Sequence, residues 1–246
     1  MSAGELAGGH CDGHRPVRLV ALETSGRVGS IALTDDGCVA AERTLAEGMR
    51  HGREIVPLVA ATVAAVGWSP RDVDVLALSI GPGSFTGLRI GVTIARTWAS
   101  QQPSLAVVAV PTLEAIASNA PEAERLIGVV CYAQRDGVYW AAYRRDGDGA
   151  LRRTAAESVG SPQEAAAGIP QDALLIGDGL GRCGEAFAGR RWAEAPLWTP
   201  RAAVVASLGL RLHRAGQHVA PELLEPLYVR RPAPVETAER RRQGGR

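Results

Sequence analysis

Three clusters carry groups that could do chemistry. The run Gly81-Pro82-Gly83-Ser84-Phe85-Thr86-Gly87 stands between an apolar stretch, Val73–Ile80, and a segment of helical spacing, Leu88–Ser100. Glycines there permit left-handed backbone and close approach of another chain or a phosphate. A strand-loop-helix turn also aims free N–H groups at an anion. Nucleotide or partner contact is one reading; a tight turn with nothing bound is the other. The second cluster, Glu23-Thr24-Ser25, ends the apolar run that starts at Val17. A carboxylate beside two hydroxyls could hold a Mg²⁺-nucleotide, or the hydroxyls could cap a turn. The third, Gly177-Asp178-Gly179-Leu180-Gly181, follows Ala173–Ile176 and could face an adenosine or form a plain turn. Glu23, Thr24, Ser25, Gly81, Gly177, Asp178 and Gly179 are thus the candidate nucleotide contacts.

Other chemistries are weak or absent. His10 and His14, with Cys11 between them, have ligand spacing but sit in a Gly-rich leader with no element to fix a second shell, so no metal site is expected. Cys11, Cys38, Cys131 and Cys183 form no CxxC pair and read as reduced thiols of a cytosolic protein. No Ser/His/Asp or Cys/His set announces itself. All 27 basic residues are arginine, which removes Walker A and Schiff-base lysine chemistry. The net charge of +1 lacks the basic excess of a nucleic-acid coat. No apolar run reaches the ~18 residues of a membrane span, and no secretory signal opens the chain, so a cytoplasmic location is expected.

The elements that must position these groups read as follows. Val17–Glu23 and Val28–Thr34 are strands, and Asp35-Asp36-Gly37 signals a hairpin into a third, Cys38–Leu45. Arg53–Val66 has helical spacing with Ile55, Leu58, Val59, Val63 and Val66 on one face. With Val73–Ile80, Leu88–Ser100 and Leu105–Val110 the order is β-β-β-α-β-α-β, an α/β arrangement with a mixed sheet flanked by helices. Later, Thr112–Ser118 and Arg201–Ala215 read as helices, and Leu126–Cys131 and Gly137–Tyr143 as paired strands. A domain break is expected near Gln101–Ser104. The divisions are a disordered leader (1–16), a first lobe (17–103), a second lobe (104–218), a closing segment returning to the first (219–234) and a disordered basic tail (235–246).

Leu76–Ala99, LALSIGPGSFTGLRIGVTIARTWA, closely resembles the signature segment of the TsaB (YeaZ) family, whose members assist N6-threonylcarbamoyladenosine synthesis at position 37 of tRNA. Val20–Leu33, Met49–Leu58, Val110–Ala117, Gln134–Tyr143 and Glu225–Arg230 resemble further family segments, in family order. The resemblance implies an actin/Hsp70-like (ASKHA) fold of two related lobes. It implies a non-catalytic subunit that binds and activates the transferase TsaD, with the ATPase TsaE and tRNA joining through the complex. No cofactor would be required by this subunit; ATP and Mg²⁺ would be used by the assembly. A homodimer in isolation is a further expectation.

The same resemblance puts the partner interface on the helices near 53–66 and 86–100, at Arg50, His51, Glu54, Gly83, Ser84, Phe85, Thr86, Gly87, Arg89, Ile90, Gly91 and Ile94. Gly87, Gly91, Thr93 and Ala95 would make the second helix smooth enough for close approach. Where the catalytic sister family carries the metal-binding H-M-E-G-H, this chain has Thr112-Leu113-Glu114-Ala115-Ile116. Glu23 stands where the family usually has Asp, and Tyr132 where a second-lobe Asp is usual. Two other functions remain as alternatives, an ATP-dependent phosphotransferase and a metallo-endopeptidase. A secondary RNA contact would use Arg144, Arg145, Arg152, Arg153 and the tail Arg240–Arg242.

Overall fold

The computed structural model describes residues 15–45, 51–134 and 136–229. His10, Cys11, His14, Arg50 and the tail from 230 lie outside that set. The chain opens as an antiparallel meander, β1 (Arg18–Glu23), β2 (Ser30–Asp35) and β3 (Cys38–Thr44). The β2–β3 turn runs through Asp36 at φ 48° and Gly37 at φ 93°. That is the left-handed pair a two-residue hairpin requires. Then come α1 (His51–Ala65), β4 (Val75–Ser79), α2 (Phe85–Gln101) and β5 (Ala106–Val110). The sheet order is β3-β2-β1-β4-β5, with β4 parallel to both neighbours.

Period-two alternation in β1 and β4 explains the layers. Val20, Leu22, Leu76 and Leu78 face one core with Ile55, Val59 and Val63 of α1 and Val92 and Ala95 of α2. Leu19, Ala21, Val75 and Ala77 face the opposite core, covered by α6 (Ala202–Arg214). Leu19–Leu22 and Val75–Leu78 are continuously apolar because both faces are buried.

The second lobe holds α3 (Thr112–Ala117), β6 (Leu126–Ala133), β7 (Gly137–Arg145), β8 (Leu151–Gly160), α4 (Pro162–Gly168), β9 (Leu174–Ile176) and α5 (Leu180–Cys183). Its order, β8-β7-β6-β9, repeats that of the first sheet without the last strand, again with the fourth strand parallel to the first. Two lobes built on one meander-plus-crossover plan constitute the actin/Hsp70-like (ASKHA) fold.

Three expectations need correction. The sheets do not divide at 101–104, because β5 pairs in parallel with β4 and so belongs to the first sheet. α6 also serves the first lobe, although its sequence position lies in the second. Finally, α2 starts at Phe85, three residues earlier than expected, because the Ser84 side chain caps it by accepting from Gly87 N at 3.2 Å.

α6 lies so close to the sheet that a Cβ on Gly209 would stand 2.4 Å from Ala77 Cβ. Gly209→Val is therefore expected to lower stability by about 2–3 kcal/mol. Ser207→Val, on the exposed side of the same helix, should cost about 0.5 kcal/mol or less. Urea denaturation of the two variants checks the difference.

Candidate functional site

The glycine loop folds down onto the turn that ends β1. Ser84 N donates to Ser25 O at 2.7 Å. A Cβ on Gly83 would lie 2.5 Å from Ser25 O, and one on Gly87 would lie 1.9 Å from Thr24 O. No side chain fits at either place, so the glycines are required by the approach of the chain to itself. Gly81, at φ 115°, passes Leu227 O in the same way. Its N–H donates to Thr112 Oγ1 at 3.1 Å, and its carbonyl accepts from Thr112 N at 2.9 Å.

The turn beneath is sealed. Glu23, Thr24 and Ser25 are buried, Glu23 completely. Glu23 Oε1 accepts from Ser25 N (2.6 Å), Ser25 Oγ (2.6 Å) and Gly26 N (3.0 Å). Glu23 Oε2 and Thr24 Oγ1 have no hydrogen-bond partner among the described residues. Burial pushes the Glu23 carboxyl above its ordinary value, against the pull of the Ser25 and Gly26 donors. A Mg²⁺-nucleotide would need Glu23 ionised and reachable. The structure instead gives it a structural place, tying the end of β1 to its turn.

The second-lobe loop behaves alike. Gly177, at φ 126°, would drive a Cβ to 2.2 Å from Val130 O, and Gly179 N donates to that carbonyl at 3.0 Å. Asp178 Oδ1 accepts from Tyr132 N at 2.9 Å. Each candidate nucleotide turn is thus closed on the first strand of its own sheet.

The expected interface residues split into two groups. Gly87, Gly91 and Ala95 are buried against the first lobe, and a Cβ on Gly91 would meet Thr24 Oγ1 at 2.8 Å. The smooth side of α2 therefore faces inward, contrary to expectation: small residues let the helix sit close on its own sheet. The outward side carries Gly83, Ser84, Phe85, Thr86, Arg89 and Thr93, exposed, with Ile90 and Ile94 half-buried. Phe85 is 40% exposed; its ring lies 5.4 Å from that of Tyr228, and the Arg89 guanidinium lies 4.1 Å above it. His51 opens α1, and Glu54 is half-buried one turn later.

Sequence reading missed the outer face of α1 and the aromatic of the closing segment. Val56, 54% exposed, is joined on that face by Pro57, Ala60, Ala61 and Ala64. The signal was present: once the buried stripe is removed from Arg53–Val66, an uncharged apolar remainder is left. α1 and α2 pack beside one another over a shared core. Their outer sides make an exposed, mostly uncharged surface edged by Arg89 and Phe85.

The sequence model described as "TsaD: tRNA N6-adenosine threonylcarbamoyltransferase" matches residues 45–191. "tRNA threonylcarbamoyladenosine biosynthesis protein TsaB" of Escherichia coli (strain K12) is 30% identical over 225 residues, 87% of this chain and 95% of that protein. The chain belongs to the TsaB (YeaZ) family. The solved structure "YeaZ from Pseudomonas aeruginosa" is similar with a TM-score of 0.76 and 27% identity, covering 86% of this chain and 99% of that one. The TsaB of Bacillus subtilis (strain 168) is 33% identical over 128 residues, 51% of this chain and 55% of that protein.

Thr112 and Ile116, the ends of the stretch set above against the sister family's histidine motif, serve structure in this TsaB-family chain. Thr112 holds the glycine loop, and Ile116 lies in the second-lobe core. Among the described residues, no group of three or more His, Cys, Asp or Glu is placed to hold a metal, and no helix is long and apolar enough to cross a membrane.

The arginine cluster offered for RNA is largely spent internally. Arg145 donates to Ala120 O, Glu124 O and Gly149 O. Arg144 and Arg152 flank Asp146, and Arg153 lies 3.8 Å from Glu157.

Glu23 supplies a test. Its folded carboxyl binds a proton more tightly than the unfolded one, so its contribution to stability is present below the ordinary carboxylate range and is lost as pH rises through the raised value. Glu23→Gln abolishes the titration and keeps an oxygen for the Ser25 and Gly26 donors. The stability of the variant relative to wild type should therefore increase from about pH 5 to about pH 8 in denaturant titrations. A wild type that gains on the variant over that range would show that the ionised carboxylate is needed.

Proposed function

We propose that this chain is a docking and activating subunit in tRNA N6-threonylcarbamoyladenosine synthesis, binding the TsaD transferase through the outer faces of α1 and α2 and running no reaction alone. The observation that carries this reading is the exposed apolar pair of helix faces beside a sealed nucleotide position. The transferase pattern matches residues 45–191, which include α1 and α2. A TsaD partner would then bring equivalent helices, and two related faces suit pseudo-twofold pairing. The same geometry supports a homodimer when TsaD is missing. TsaE and tRNA would join through the complex, ATP and Mg²⁺ would be consumed there, and the site of action would be the cytoplasm. Neither the phosphotransferase nor the endopeptidase reading gains support. Glu23 is enclosed, and the positions of the histidine pair are occupied by Thr112 and Ile116.

Gly91→Arg would disrupt the subunit itself by colliding with Thr24, so the test uses outward positions. Val56→Arg and Thr93→Arg should leave the fold intact and weaken co-purification with TsaD about tenfold or more each. Both should lower threonylcarbamoyl transfer in a mixture of TsaD, TsaE, tRNA, ATP and threonylcarbamoyl-adenylate. Unchanged affinity in both variants, or full transfer without this chain, would refute the proposal.

A further inference from the structure

A cavity of about 650 Å³ opens at the amino ends of β1, β4 and β5, the edge of the first sheet opposite the glycine loop. Arg15, Asp74, His213 and His218 line it. His213 belongs to the last turn of α6, and the chain then reverses through Gly216 at φ 71°. The reversal is closed by Ala215 N to Arg211 O (3.1 Å), Gly216 N to His213 O (2.9 Å) and Gln217 N to Leu212 O (2.9 Å). These satisfy the last carbonyls of the helix and fix the turn. Beyond it, Val219 N donates to Val107 O at 2.9 Å and pins the following segment to the sheet edge. His218 is thereby laid over His213, ring centroids 4.9 Å apart, with Nε2 of His218 only 2.9 Å from Nδ1 of His213.

We propose that His213 Nδ1 and His218 Nε2 form a two-imidazole site for a divalent transition ion of the imidazole-preferring class, such as Ni²⁺ or Zn²⁺. Two nitrogens in adjacent octahedral positions, each about 2.05 Å from an ion, stand about 2.9 Å apart, and a tetrahedral ion needs only about 0.4 Å more. The pair already has the first spacing, held by the helix cap on one side and the sheet edge on the other.

In the ion-free pair one facing nitrogen donates and the other accepts. Binding requires both lone pairs to converge on the ion, so the donating ring shifts its N–H to its other nitrogen, leaving His213 protonated at Nε2 and His218 at Nδ1, and both rings turn off the line that joins the two nitrogens. No net proton is released from two neutral rings. Asp74 is not a ligand, since its oxygens accept from Arg15 Nη2 (3.0 Å) and Arg18 N (2.9 Å). Arg214 is paired with Asp36 at 2.6 Å. The nearby guanidiniums are thus neutralised, and water fills the remaining coordination positions. A bound ion would join the end of α6 to the closing segment, which continues along α2 to Tyr228.

The test uses the full chain stripped of metal, with NiCl₂ or ZnSO₄ added singly and heat of binding recorded. One equivalent should bind, and His213→Ala and His218→Ala should each weaken binding about tenfold or more. The double variant His10→Ala/His14→Ala, which removes the other histidine pair, should bind as wild type does. In long-range ¹H–¹⁵N spectra the ring signals of His213 and His218 should move together. Absence of binding, binding insensitive to His213→Ala, or binding lost in the His10/His14 variant would overturn the proposal.

Discussion

The contact on which the rest depends is the seating of Gly83 and Gly87 on the carbonyls of Ser25 and Thr24. With separations of 2.5 and 1.9 Å to any added Cβ, only glycine allows it, and it has two consequences at once. It closes the end of β1, enclosing Glu23 and withholding it from solvent. It also fixes the start of α2, which Ser84 caps, and so sets which side of that helix faces out. Closure of one site and presentation of another follow from a single backbone approach.

The two lobes show the same device twice. After the parallel strand β4, a glycine loop closes on the end of β1; after β9, Gly177 and Gly179 close on Val130 of β6. In neither place does glycine open the backbone to a ligand. Thr112 extends the logic, since it holds Gly81 by two hydrogen bonds. The outer sides of α1 and α2 stay exposed.

Much of this was legible in the residues. Continuous apolar runs gave β1 and β4, the Asp-Gly turn gave the β2–β3 hairpin, and 3.6-residue spacing gave α1. β8 and α4 were not legible: β8 lies at a sheet edge, its Arg152, Arg153 and Thr154 side chains exposed, so burial imposes no apolar alternation. The place of β5 and α6 was also hidden, because sequence proximity does not reveal which sheet a strand joins or which face a helix covers. At the site, the loop stood out from its glycines, but their direction did not. Small residues suit close packing on either side of a helix, and only the position of Thr24 shows that Gly91 points inward. The outer face of α1 shows in the sequence only as the uncharged remainder beside its buried stripe.

The central claim, that the chain itself closes the end of β1 over Glu23 and leaves no room there for a nucleotide, is tested most directly by calorimetric titration of the isolated protein with Mg-ATP. The account predicts no saturable binding. Stoichiometric binding that Glu23→Gln abolishes would contradict it, since that requires the carboxylate to be open to solvent and ionised.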